Sequence, residues 1–121
     1  MHYVKYKMSV DQDTPLSQAI ERYLGYLQSE ENKSTLTVEN YRRSLDLLLE
    51  LSGVDDPMKF NKATIRHFKQ KLHEHRTRLG RELSVRTKNY HLTVLRAFLR
   101  YLVQEEELDV YPPDRVTRCK E

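Results

Sequence analysis

The chain is poor in residues that break helices. Three glycines and four prolines in 121 residues leave little turn chemistry, so long helices are expected and short β-hairpins are not. A single cysteine, Cys119, rules out an internal disulfide and fits a reducing compartment. No apolar run approaches the roughly 20 residues needed to cross a bilayer. Met1-His2-Tyr3-Val4-Lys5 lacks the apolar stretch of a secretory leader. The expectation is a cytoplasmic protein with no membrane partner.

Catalytic signatures are equally scarce. There is no Gly-rich phosphate cradle and no Gly-x-Ser-x-Gly elbow. Cys119 has no base close by in the sequence, and the carboxylates of Asp55-Asp56 and Glu105-Glu106-Glu107 fall at loop or helix ends, where they read as solvated acids. His73-Glu74-His75-Arg76 contains His-x-x-Arg, a spacing some phosphoryl-transfer sites use. Its two histidines are two residues apart, however, and such positions do not face each other on a helix. A zinc-binding His-Glu-x-x-His is missing, so the stretch reads as a basic helix end. Neither a metal nor a cofactor is expected.

What is present is charge, unevenly placed. The length suits one domain large enough to bury a core, and 32% of residues are charged. The net charge of +3 hides a strong asymmetry. Between Lys62 and Arg100 stand eleven Lys/Arg against two Asp/Glu, a net of +9, so the rest of the chain carries −6. Four of the five histidines share that basic segment. Such blocking points to a polyanionic partner, most simply nucleic acid.

Hydrophobic periodicity predicts four helices. Residues 1–13 have no sustained periodicity and read as an arm. Thr14-Pro15 is a start signal, with proline at the first helical position. Leu16, Ile20, Tyr23, Leu24 and Leu27 then carry a helix from about Pro15 to Glu30. Ser34-Thr35-Leu36-Thr37 opens the second helix and Ser84-Val85-Arg86-Thr87 the fourth, each followed within a few residues by an Asn-Tyr pair. A serine at the N-cap accepts from an orphan backbone N–H. Small hydroxyls and free N–H groups at a helix N-terminus also favour anions.

The second helix has Val38, Tyr41, Leu45, Leu48 and Leu49 on its core face, Leu36, Asn40, Arg43 and Leu47 opposite, and Gly53 at its end. Asn61 caps the third, whose buried stripe is Ile65, Phe68 and Leu72 and whose exposed positions include Arg66, Lys69, Lys71 and Arg76. Residues 76–83 read as a basic connector. The fourth helix buries Leu92, Leu95, Leu99 and Leu102 and presents Arg86, Asn89, Thr93, Arg96 and Arg100 as a polar, cationic ridge. Tyr23, Tyr41 and Tyr101 read as packing residues, and Tyr90 as a surface residue beside Arg86 and Thr87. The proline pair in Tyr111-Pro112-Pro113 cannot continue a helix, so residues 111–121 read as a linker after a domain over 14–110. The fold class is all-α, a bundle of four main helices.

Ser34, Thr37, Tyr41 and Leu45 with the basic pair Arg42-Arg43, and Ser84, Thr87, Asn89, Leu92, Leu95, Arg96 and Phe98 on the last helix, together resemble the N-terminal core-binding domain of tyrosine recombinases of the phage integrase and Xer type. The resemblance covers about residues 14–116, with Tyr111-Pro112-Pro113 similar to the segment that leads into the family's catalytic domain. It implies an orthogonal, SAM-like bundle of two crossed helical hairpins forming half of a C-shaped clamp on duplex DNA. In that family the second and fourth helices face the DNA. This implies DNA-binding roles for Thr37, Asn40 and Arg43 and for Arg86, Thr87, Tyr90 and His91. Of these, His91 points nearest the core face, and Glu39 departs from the basic or polar residue common at its position, weakening one phosphate contact.

The family's Tyr nucleophile and its Arg, Lys and His/Trp partners lie in a C-terminal domain beyond the region of resemblance. This chain is therefore expected to bind DNA and not to cut it. The parent protein is expected to be a tetramer on DNA, and this chain alone a monomer. The same basic ridge would also serve a helical interaction module with an acidic protein partner, which is the alternative function.

Overall fold

The computed structural model describes residues 13–120. The arm expected over residues 1–13 lies outside the described residues except for Asp13. Four main helices are present: α1 over Pro15–Ser29, α2 over Thr35–Ser52, α3 over Lys62–Glu74 and α4 over Val85–Gln104. The described residues form an all-α bundle in which α2 packs against α1, α3 and α4.

Each helix begins where a side chain can satisfy an orphan N–H. Thr14 caps α1 ahead of Pro15, Ser34 caps α2, and Ser84 caps α4. Asn61 and Thr64 form a reciprocal capping box on α3, the Asn61 side chain accepting from Thr64 N–H at 2.9 Å and the Thr64 hydroxyl from Asn61 N–H at 2.8 Å. Caps of this kind contribute about 1 kcal/mol each. α2 stops at Gly53, whose φ of +73° is the left-handed conformation that glycine adopts without penalty.

The core is one cluster. From α1 come Leu16, Ile20, Tyr23, Leu24 and Leu27, from α2 Leu45 and Leu48, from α3 Ile65, Phe68 and Leu72, and from α4 Leu92, Leu95, Phe98, Leu99 and Leu102. Aromatic rings close one side of it. Tyr23 packs tilted against Tyr101 at 5.0 Å and Phe98 at 5.6 Å between centroids, and Tyr26 reaches Tyr101 at 5.0 Å. The α1 face is tied to the end of α4 by Arg22, which donates two hydrogen bonds of 2.9 Å to Glu106. That guanidinium is the main reason the Glu106 carboxyl is held below its usual range.

Two segments differ from their sequence reading. The connector after α3 contains a one-rung hairpin, although the scarcity of breakers argues against hairpins. Arg76 and Glu82 form an antiparallel bridge, Thr77 N–H donates to the Arg81 carbonyl at 2.8 Å, and Gly80 N–H donates back to Thr77 at 2.8 Å. One glycine in the right place suffices, because Gly80 takes φ +78° there.

Residues 111–120, read as a linker, lie in the groove between α3 and α4. A 3-10 turn forms at Pro113–Arg115, Val116 is fully buried, and Lys69 of α3 donates to the Thr117 hydroxyl at 2.9 Å. Asn89 of α4 clasps the backbone of Cys119, accepting from its N–H at 2.6 Å and donating to its carbonyl at 3.1 Å. No helix among the described residues is long and apolar enough to cross a membrane.

Candidate nucleic-acid interface

The two serine-led phrases build the same cap twice. Ser34 Oγ accepts from Thr37 N–H at 3.1 Å and donates to Thr37 Oγ1 at 3.0 Å. Ser84 Oγ does the same to Thr87, at 3.1 Å in both bonds. With its oxygen engaged as an acceptor, each threonine hydroxyl keeps its proton as a donor toward solvent. Thr37 and Thr87 therefore each present an O–H beside the positive end of a helix dipole.

One turn further along, the two helices diverge. Asn40 follows its cap by six residues and Asn89 by five, a difference of about 100° around a helix. Asn40 stays half-exposed on α2, where its Oδ1 accepts from Arg43 Nη1 at 3.1 Å. Asn89 turns inward, is buried, and commits its amide to Cys119. Asn89 is thus not part of the exposed ridge that the spacing on α4 suggests. Arg96 also leaves it, half-buried with a buried Nε that has no hydrogen-bond partner. The exposed stripe of α4 is instead Arg86, Tyr90, Thr93 and Arg100. Arg43 on α2 and Arg86 on α4 are both exposed, and neither forms a salt bridge among the described residues. By contrast, Arg42 is committed to Glu21 through bonds of 2.6 and 3.0 Å.

Where α2 meets α4, His91 Nδ1 is hydrogen-bonded to Ser44 Oγ at 2.7 Å. Burial, and then the nearby His75, hold the His91 imidazole below its ordinary pKa of 6.5 and so favour its neutral form. The ring also meets Tyr90 edge-on at 5.6 Å between centroids. Tyr90 remains 40% exposed, its phenol pushed up by partial burial and then by Tyr41 across the helix pair. Among the seven residues singled out from the sequence, the structure joins Asn40 to Arg43 and Tyr90 to His91, and brings His91 against α2. No described hydrogen bond links the Thr37 cap to the Thr87 cap.

Ser44 carries no signal in the sequence beyond its position one residue before a buried leucine, and its role appears only when the two helices pack. The His-x-x-Arg stretch is resolved as the sequence suggests. Arg76 Nη1 donates to the carbonyls of His73, Glu74 and His75 at 3.0–3.3 Å, so it caps the end of α3. No cluster of three or more potential metal ligands occurs among the described residues.

Comparison with known proteins identifies a family. The family described as "Phage integrase, N-terminal SAM-like domain" matches residues 20–106. Tyrosine recombinase XerC of Actinobacillus succinogenes is 31% identical over 114 residues, covering 88% of this chain and 35% of that protein. Tyrosine recombinase XerC of Escherichia coli O157:H7 is 32% identical over 111 residues, with the same coverage of 88% and 35%. That of Haemophilus influenzae is 30% identical over 103 residues, covering 85% and 34%. The chain thus spans about a third of the length of these curated relatives. No solved structure gives a significant match. The four-helix bundle, the paired serine caps and the family match over residues 20–106 together place this chain in the phage integrase N-terminal SAM-like domain family.

Proposed function

We propose that this domain binds duplex DNA through α2 and α4 as one half of a clamp, within a site-specific tyrosine recombinase. The observation that carries the reading is the pair Arg43 and Arg86. Both are exposed, both are free of salt bridges among the described residues, and they stand on helices locked together by Ser44 and His91. Cations placed this way neutralise phosphates and release counterions, giving affinity that falls steeply with salt and depends weakly on sequence. The Thr37 and Thr87 hydroxyls add neutral donors to the backbone. Tyr90 and Asn40 lie where a sugar or a base edge would come. His91 works from behind, as a neutral strut that orients Tyr90. Catalysis belongs to another part of the recombinase, and the parent acts as a tetramer on DNA while this chain alone is monomeric.

A gel-shift titration at low salt tests the assignment. The wild-type chain should retard a duplex weakly, because half a clamp lacks the avidity of a tethered second half. R43E/R86E should abolish that retardation. Equal retardation by the variant would remove α2 and α4 from the interface. An acidic protein partner is the competing occupant of the same surface. Polyglutamate at matched salt separates the two, since equal binding of polyglutamate and duplex would favour the protein partner.

A further inference from the structure

A second basic feature lies away from α2. The N-terminal half of α3 and the segment seated between α3 and α4 enclose a cavity of about 150 Å3 lined by Lys62, Ile65, Arg66, Lys69, Tyr111, Arg115 and Thr117. Four of these seven are cations and none is an acid. Lys62, Arg66 and Arg115 form no salt bridge among the described residues, and Lys69 gives one proton to a neutral hydroxyl, that of Thr117. The nearest acid in sequence, Asp114, is turned to Arg100 at 3.5 Å.

Like charges gathered around one cavity repel each other, and here a helix dipole adds to the cost. The first turn of α3 contains Lys62 and no acidic residue, so its positive end is met by further positive charge. Exposed α3 cations alone would be an ordinary solvated face. The C-terminal segment changes that reading. It is held in register by Val116, Thr117 and Cys119, and it delivers Arg115 to the cations already on α3. The arrangement is formed in the fold, with the exposed Lys62, Arg66 and Arg115 and the half-buried Lys69 gathered around one cavity whose lining includes no acid.

We propose that this cavity is a phosphate-binding site, built from Lys62, Arg66, Lys69 and Arg115 and separate from the α2–α4 surface. Guanidinium groups suit a tetrahedral oxyanion through paired N–H donors, and the lysines supply point charge. The phosphate is a backbone phosphodiester of the duplex that α2 and α4 hold. That source rests on the function proposed above, whereas the site itself does not.

Two measurements on the 121-residue chain separate the claims. The first is an NMR titration with inorganic phosphate. It should shift the amides of residues 62–66 and 115–117 saturably, and R66Q/R115Q should abolish those shifts while keeping wild-type helicity and melting temperature. The second is duplex affinity against salt. If the source is DNA, R66Q/R115Q should lower the slope of log K on log salt by about 0.9, the contribution of the one phosphate that is no longer neutralised. An unchanged slope with the phosphate shifts abolished would establish the site but assign it to free phosphate. No saturable shift at these amides, together with an unchanged slope, would overturn the site. If the wild-type chain failed to bind duplex at all, the reading of α2 and α4 would fall, and the phosphate titration would still decide the cavity.

Discussion

Between α2 and α4 the hydrogen bond of Ser44 with His91 holds an imidazole half-buried. In the unfolded chain that ring titrates at its ordinary value of 6.5, whereas in the fold burial lowers its pKa. Below about pH 6.5 the unfolded state therefore binds more protons at this position than the folded state does. The stability contributed by neutral His91 is complete above that pH and is lost as pH falls through the folded pKa. Thermal melts from about pH 7.5 down to about pH 5.5 should show a declining midpoint, and H91Q should flatten that decline. The lowered carboxyls of Asp55 and Glu106 titrate below 3.8 and 4.5 and stay out of this window. A wild-type midpoint constant across the range would contradict a lowered His91 pKa in the fold. The direction of His91 toward the core face is legible from helical spacing. Its partner Ser44 is not, because the hydrogen bond joins residues 47 apart in the chain. Asn89 shows the same limit from the other side. Its helical angle lies beside the exposed stripe, and only the returning segment, 30 residues downstream, converts that angle into burial.

At the scale of single helices, local chemistry decides most of what is seen. Thr14, Ser34, Asn61 and Ser84 begin the four helices where the sequence expects them, because an N-cap needs only its own side chain and the next turn. The end of α2 is as local. Gly53 sits at φ +73°, and a Cβ added there would meet nothing within 4 Å. Gly53→Ala should therefore cost only backbone strain, about 1–2 kcal/mol. It should lower the urea midpoint without altering the denaturant slope or the helix content. A neutral result would mean that α2 can end in another way. Composition does not reveal the hairpin after α3, because counts of glycine are global and a turn is local. Gly80 alone, with Thr77 accepting from Leu79 and Arg81 N–H at 3.3 and 3.2 Å, provides what the bend requires.

The bundle as a whole depends on its last dozen residues more than their composition suggests. Prolines correctly exclude an α-helix over 111–113, but excluding an α-helix says nothing about whether a segment packs. Val110 and Val116 are buried, and Asn89 would lose both bonds to Cys119 without the segment. A chain ending at Asp109 should therefore lose about 3 kcal/mol or more, from about 1.5–3 kcal/mol for each buried valine side chain. That is a large share of a typical stability of about 5–15 kcal/mol. Chemical denaturation of the shortened chain measures the loss, and a midpoint equal to that of residues 1–121 would count against a structural role. The Asp114 ion pair with Arg100 and the Cys119 clasp on Asn89 also fix a length. Eleven residues of α4 separate Asn89 from Arg100, about 16 Å of helix. Five residue steps lead from Asp114 to Cys119, and the 3-10 turn at Pro113–Arg115 takes up part of their reach. The segment is pinned to the helix beneath it at two points, so the spacing from 114 to 119 is constrained even where individual side chains such as Arg118 are free to vary.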